Sequence, residues 1–209
     1  MSEFQLYCFA ESGNAYKAAL MLELCDLDWS VEFVDFFNGE TKTPQYRENV
    51  NELGEVPVLV HRKKSFTQSG LILNYLSEFT GKFGPANKTE EHEILRWILF
   101  DNHKFTSYMG TRRFFLEFMK TGDTDVSRFL EERILGALEV VEKHLENRRF
   151  IATSSLSIAD ISMCGYLYYG DELRIDLDKF PNVTAWTKRI AATDRWKHPY
   201  DLMPRAIAS

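Results

Sequence analysis

The feature that most restricts this chain is a change of texture partway along it. Up to about residue 80, short apolar runs of strand length alternate with stretches of helix-forming residues. Beyond Gly81-Lys82-Phe83-Gly84-Pro85-Ala86-Asn87, a segment dense in Gly and Pro, the apolar residues recur only at helical spacing. One layered architecture cannot satisfy both patterns, because each buries its apolar face differently. The sequence therefore predicts α/β followed by all-α, with a first domain over residues 1–81, a linker over 82–87 and a helical domain over 88–209.

In the first part, Phe4 to Phe9 reads as a buried strand that Glu11-Ser12-Gly13-Asn14 interrupts, and Ala15 to Leu24 is rich in strong helix formers. Trp29 to Phe33 alternates with period two. Val56-Pro57-Val58-Leu59-Val60 is a third strand opening at a proline. Ser65-Phe66-Thr67 is a fourth, across the basic turn Arg62-Lys63-Lys64, and Ser69 to Phe79 carries Ile72, Tyr75, Leu76 and Phe79 on one helical stripe. The order βαβ, loop, ββα implies one parallel crossover and then a hairpin. In the second part, Glu90 to about Met119 reads as one long amphipathic segment. Leu130, Ile134, Leu138, Val141 and Leu145 mark another helix. Ser157-Ile158-Ala159-Asp160 has the form of an N-capping box, and Val183, Trp186 and Ile190 form the inward stripe of a last helix. The prolines after Trp196 predict an irregular tail packed back on the body.

Charge excludes some partners. With 25 basic against 31 acidic side chains the net charge is −6, so no basic surplus exists to displace phosphate counterions. Residues 1–84 hold 12 acidic and 7 basic side chains, hence −5 of that total. The longest uncharged run, Ser65 to Ser77, falls short of the roughly 18 residues of a membrane span, and Met1 to Ala10 lacks the basic cluster of a signal peptide. Cys8, Cys25 and Cys164 form no CxxC, and the five histidines form no HxxxH or HExxH pair. The expectation is a cytoplasmic protein with buried thiols, no metal site, no nucleic acid and no membrane association.

Three places offer chemistry, each with a plainer reading beside it. Ser12, with Gly13 and Asn14, stands at a strand-to-helix turn, where free N–H groups and the helix dipole favour an anion; a serine there is equally an N-cap. Val56-Pro57 would present the Val56 backbone to an extended peptide if the bond is cis, and is an ordinary strand start if trans. Gln68 and Ser69 open a helix, where they suit an α-carboxylate with its ammonium or serve as caps.

Taken together, the frame, the Ser12-Gly13-Asn14-Ala15-Tyr16-Lys17 turn, the Asn51-Glu52-Leu53-Gly54-Glu55-Val56-Pro57-Val58-Leu59 block and Gln68-Ser69 resemble the cytosolic glutathione transferase family, with a serine-type turn, along the whole chain. The resemblance implies a thioredoxin-like first domain and a helical second one. It also implies a glutathione site: Ser12, or Asn14 sharing or replacing it, at the sulfur; Val56, before Pro57, pairing with the cysteinyl unit; Gln68 and Ser69 at the γ-glutamyl end. Lys42 becomes a partner for the glycyl carboxylate or a solvated lysine. The family commonly has proline at the position of Glu52 and often Glu-Ser where this chain has Gln68-Ser69.

A thiol of pKa about 8.5 is mostly protonated at neutral pH, so a donor at the sulfur activates it by favouring the anion. The expected reaction is conjugation of glutathione to a small apolar electrophile, as in detoxification. Seven aromatics lie between Trp97 and Phe118. Ile94, Trp97, Asp101, Phe105, Tyr108 and Arg112 run nearly along one stripe, which fits either a cleft wall at a domain interface or an intrahelical or dimer-interface ion network. Phe9, Tyr108, Met109 and Arg112 are the expected acceptor contacts. The alternatives are glutathione-dependent disulfide or peroxide reduction on the same site and a non-enzymatic interaction module. The family implies a homodimer.

Overall fold

The computed structural model describes residues 2–206; Met1 and residues 207–209, which the sequence assigns to the first and helical domains, lie outside the described residues. Two compact units form: one runs to Lys82 and includes the chain from Thr193 onward, and the other is Phe83–Ala192. The first is a small mixed sheet with helices, a thioredoxin-like arrangement. Strand β1 (Phe4–Cys8) leads to α1 (Gly13–Leu24) and β2 (Trp29–Phe33). A 3-10 turn (Glu40–Lys42) and α2 (Pro44–Asn49) come next, then β3 (Val58–His61), β4 (Lys64–Thr67) and α3 (Ser69–Thr80). The sheet order is β2-β1-β3-β4. Strand β1 pairs parallel with β2 from Phe4 opposite Trp29 and antiparallel with β3, Leu6 opposite Leu59. The predicted crossover and hairpin are therefore both present, and β1, flanked on both sides, has Phe4, Leu6 and Cys8 fully buried.

The second unit contains α4 (Lys88–Phe100), α5 (Thr106–Arg113), α6 (Asp125–Leu145), α7 (Ile158–Cys164) and α8 (Pro181–Ala191). The long segment expected from Glu90 onward is helical throughout, but π-turns at Asp101–Phe105 and Phe114–Phe118 interrupt its register. Each π-turn carries more residues than an α-turn and so rotates the next helical residues around the axis. The inward stripe accordingly passes from Trp97 through Asp101 and Phe105 to Met109, Arg113 and Leu116, while Tyr108 is left half-buried. The Ser157 box forms as expected. Asp160 accepts the Ser157 N–H and hydroxyl at 2.9 and 2.8 Å, the Ile151 N–H at 2.7 Å and the Trp186 indole at 2.9 Å. Burial pushes its carboxyl pKa up, against the pull of these donors.

The tail differs from the sequence reading, which assigns it to the helical domain. From Thr193 it groups with the first unit, where α9 (Pro199–Leu202) and its flanks run along α1. The reason is charge and hydrogen bonding. Lys197 Nζ reaches Glu23 at 2.7 Å, Arg195 reaches Glu23 and Asp26, and the Tyr16 hydroxyl donates to the Lys197 carbonyl at 2.8 Å.

Candidate functional site

Three chain segments of the first unit converge on one end of its sheet. The earliest is the turn into α1. Ser12, 8% exposed, caps the helix, its Oγ accepting the Ala15 N–H at 3.2 Å. This uses an oxygen lone pair and leaves the hydroxyl proton, so capping and donating to an anion are compatible roles for the same side chain. Asn14 Oδ1 accepts from the Ser69 hydroxyl at 3.5 Å, while its amide NH2 has no partner among the described residues.

Residues 51–57 form the second segment. Gly54 has φ +68°, and a Cβ there would stand 2.7 Å from Arg47 Nη2 and 2.8 Å from the Thr41 carbonyl, so both conformation and space demand glycine. That contact also places the 3-10 turn bearing the exposed Lys42 against this loop. The Glu55 carbonyl accepts from the Tyr46 hydroxyl at 3.0 Å and from Asn51 Nδ2 at 2.9 Å, and Asn51 Oδ1 accepts the Leu53 N–H. Burial raises the Tyr46 phenol's pKa further above its ordinary range, which keeps it a donor. The Val56–Pro57 bond, left open between cis and trans by the sequence, is cis. Among the described residues neither the N–H nor the C=O of Val56 has a partner.

Gln68 and Ser69 begin α3 as the third segment. Gln68 adopts φ +68° and ψ +114°, a conformation that non-glycine residues hold only when their surroundings impose it, and such residues cluster at functional sites. Its Nε2 donates to Glu55 Oε2 at 3.0 Å, joining the second segment to the third; Ser69–Asn14 joins the third to the first. Thus Ser12, Asn14, Val56, Pro57, Gln68 and Ser69 come together, with the Lys42 turn alongside. Glu55 is a member that sequence reasoning treats only as part of the block. Its adjacency to Gln68 comes from the hairpin register, in which Val58 faces Thr67.

The expected acceptor residues are placed differently. Phe9 is core of the first unit, stacked on Phe36 at 5.0 Å with Phe37 edge-on, and joined by Val34 and Tyr46. The other three belong to the helical unit. Met109 is buried. Arg112 is engaged there, bonding the Ser127 and Leu173 carbonyls and Glu131 at 2.8 Å. Asp101, the other polar residue on that stripe, is wholly buried and accepts the Thr106 and Ser162 hydroxyls at 2.6 Å each. Asp101 and Arg112 are thus tied to other segments of the same unit, an arrangement that neither reading of the stripe describes. Tyr108 alone of the four keeps an accessible face in its unit. All three cysteines are buried thiols outside any disulfide, and burial pushes the Cys8 thiol pKa up to about 12. Among the described residues no cluster of potential metal ligands occurs and no helix is long and apolar enough to cross a membrane.

Comparison with known proteins agrees with this geometry. The glutathione S-transferase N-terminal domain model matches residues 2–78 and the C-terminal domain model matches residues 105–194. Among characterised relatives, the disulfide-bond oxidoreductase YfcG of Escherichia coli (strain K12) is 28% identical over 190 residues, covering 87% of each chain. A structure described as a possible glutathione S-transferase from Rhodopseudomonas palustris superposes with a TM-score of 0.88 at 33% identity, covering 95% of this chain and 98% of that one. A Pseudomonas putida glutathione transferase, with one glutathione disulfide bound per subunit, shares the fold at a TM-score of 0.84 and 22% identity, covering 95% of this chain and 90% of that one. The two domain models, their order along the chain and the similarity across almost its full length show that this chain belongs to the glutathione S-transferase family.

Proposed function

We propose that the first unit binds glutathione and activates its thiol for transfer to a small apolar electrophile. The observation that carries this reading is the convergence of unused donors and acceptors at one sheet end: the Ser12 hydroxyl proton, the Asn14 amide and both backbone groups of Val56. The Val56 N–H and C=O would pair with the cysteinyl unit as a short β-ladder. Gln68, Ser69 and the α3 N-terminus would take the γ-glutamyl carboxylate, with Glu55 beside them for its ammonium. Lys42 would meet the glycyl carboxylate.

These placements set the chemistry at the sulfur. The glutathione S–H proton passes to solvent. The thiolate left behind accepts hydrogen bonds from Ser12 Oγ–H and Asn14 Nδ2–H at the positive end of α1, which lowers the thiol pKa. The thiolate then attacks the electrophilic carbon, the C–S bond forms, and the leaving group departs with its electron pair. Ser12 donates throughout and forms no covalent intermediate. Tyr108 is the residue we propose for acceptor contact, and a cytoplasmic homodimer is the proposed assembly.

Disulfide reduction is a second reading, favoured by the free Asn14 amide and by the oxidoreductase among the relatives. The bound thiolate would attack a substrate disulfide and release one thiol. A second glutathione thiolate would then resolve the mixed disulfide, giving glutathione disulfide and the second thiol. Burial raises the Cys8 thiol pKa to about 12 and also pushes the Cys25 thiol up, which makes both poor nucleophiles for that step.

Titration of glutathione by calorimetry, with ultraviolet detection of the bound thiolate, tests both readings. Binding with a thiol pKa below the free value is expected. Absence of binding at millimolar glutathione would leave the interaction module. Ser12→Ala and Asn14→Ala, assayed on model electrophiles and on disulfides, assign the donor; if neither changed turnover nor the bound-thiol pKa, the activation mechanism would be wrong. Light scattering giving a single-chain mass would refute the homodimer.

A further inference from the structure

The tail of the first unit ends its described course beside the proposed sulfur site. Having run along α1 from Glu23 past Tyr16, it meets the turn before Ser12. The Ala10 N–H donates to the Pro204 carbonyl at 2.8 Å. Glu11, adjacent to Ser12, has a side chain 0% exposed; its Oε1 is 3.2 Å from Arg205 Nε and its Oε2 accepts the Ala206 N–H at 2.9 Å. Arg205 in turn lies over the Tyr200 ring at 4.0 Å, and Ala206 packs on the cluster that contains Phe9 and touches Val56.

A buried carboxylate one residue from Ser12 opposes a thiolate at that turn unless its charge is balanced. Resting on the glutathione reading above, we propose that Glu11 and Arg205 are a positioning pair: the tail clamps the turn before Ser12 and neutralises its one adjacent carboxylate, thereby setting the pKa of the bound thiol. Neither residue touches the reacting atoms. The other titratable groups on this side are Lys17 and Glu23, both buried on α1, Asp26 just after it, and Asp194, Arg195, Lys197, His198 and Asp201 on the tail. Glu23 is already balanced by Lys197 and Arg195, so Glu11–Arg205 is the pair closest in sequence to the site.

Opposite substitutions should move the thiol in opposite directions. Arg205→Ala removes the cation 3.2 Å from Glu11 and is expected to raise the bound-glutathione thiol pKa by about half to one unit. Glu11→Gln keeps an acceptor for Ala206 but leaves Arg205 unopposed, and is expected to lower it by a similar amount. Arg205→Lys should restore most of the wild-type value. The measurement is thiolate absorbance of glutathione on the full chain against pH, with melting temperature recorded alongside. Melting shifts with an unmoved thiol pKa, or two shifts of the same sign, would overturn the pair's role. If Arg205→Ala does not fold, Glu11→Gln and Arg205→Lys still give the sign. A wild-type chain that binds no glutathione would overturn the underlying reading as well; one that binds it with a lowered pKa, unmoved by these variants, would overturn this inference alone.

Discussion

The two units treat their polar groups in opposite ways. In the helical unit, Asp160 is met by four donors, Asp101 by two hydroxyls, and Arg112 by three carbonyls and a carboxylate. These groups hold helices to one another. In the first unit, Ser12, Asn14 and Val56 retain hydrogen-bonding capacity at one sheet end, around a loop whose own carbonyl at Glu55 is doubly satisfied. Polar atoms with complete partners mark architecture; partly served ones, on a rigidly braced frame, mark a place prepared for a ligand.

Substitutions can break that contrast. The largest loss of stability is expected for Asp160→Ala, which strands buried donors and should cost about 3–5 kcal/mol in urea unfolding, without a specific change in the thiol pKa of any protein that folds. Gly54→Ala should cost about 1–3 kcal/mol, since the positive φ and the Thr41 carbonyl both resist a Cβ, and should weaken glutathione binding through the same loop. Ser12→Ala inverts the pattern: about 1 kcal/mol of stability goes with the cap, whereas the rate of thiol transfer falls about tenfold or more. Equal and large stability losses at Ser12 and Asp160 would erase the distinction.

A smaller effect concerns pH. Burial alone would raise the Glu23 carboxyl, but Lys197, Trp29 and Arg195 outweigh it and hold its pKa below the ordinary 4.5. A depressed folded-state pKa contributes stability that is present above the unfolded value and lost as pH falls through the folded one. Stability should therefore decline more steeply below about pH 4.5 in the wild type than in Glu23→Gln, by chemical unfolding at stepped pH. Coincident curves would show that the tail is held without Glu23.

Much of this organisation is legible in the residues because it is local. The strand-to-helix turn at Ser12, the hairpin across Arg62-Lys63-Lys64 and the Ser157–Asp160 box are each written within a few neighbouring positions. The seating of Asp101 is not, since one of its partners is the Ser162 hydroxyl 61 residues away. The docking of the tail is hidden for the same reason: Arg205 and Glu11 are 194 positions apart, and nothing near either one announces the other. Phe9 belongs to the core and not to a pocket wall, a distinction that sequence does not carry, because an aromatic at a strand end looks the same whether it faces core or cleft.

The run of the tail along α1 has a consequence for biosynthesis. The first unit is discontinuous along the chain: Tyr16 waits for Lys197, 181 residues later, and the whole of Phe83–Ala192 intervenes. On a ribosome delivering about 5–20 residues per second, β1 to α3 must persist without their strap while the intervening helices emerge. The helical unit, built from one uninterrupted stretch, can finish first. Although its residues are among the first to be made, the turn before Ser12 is among the last parts of the protein to be locked.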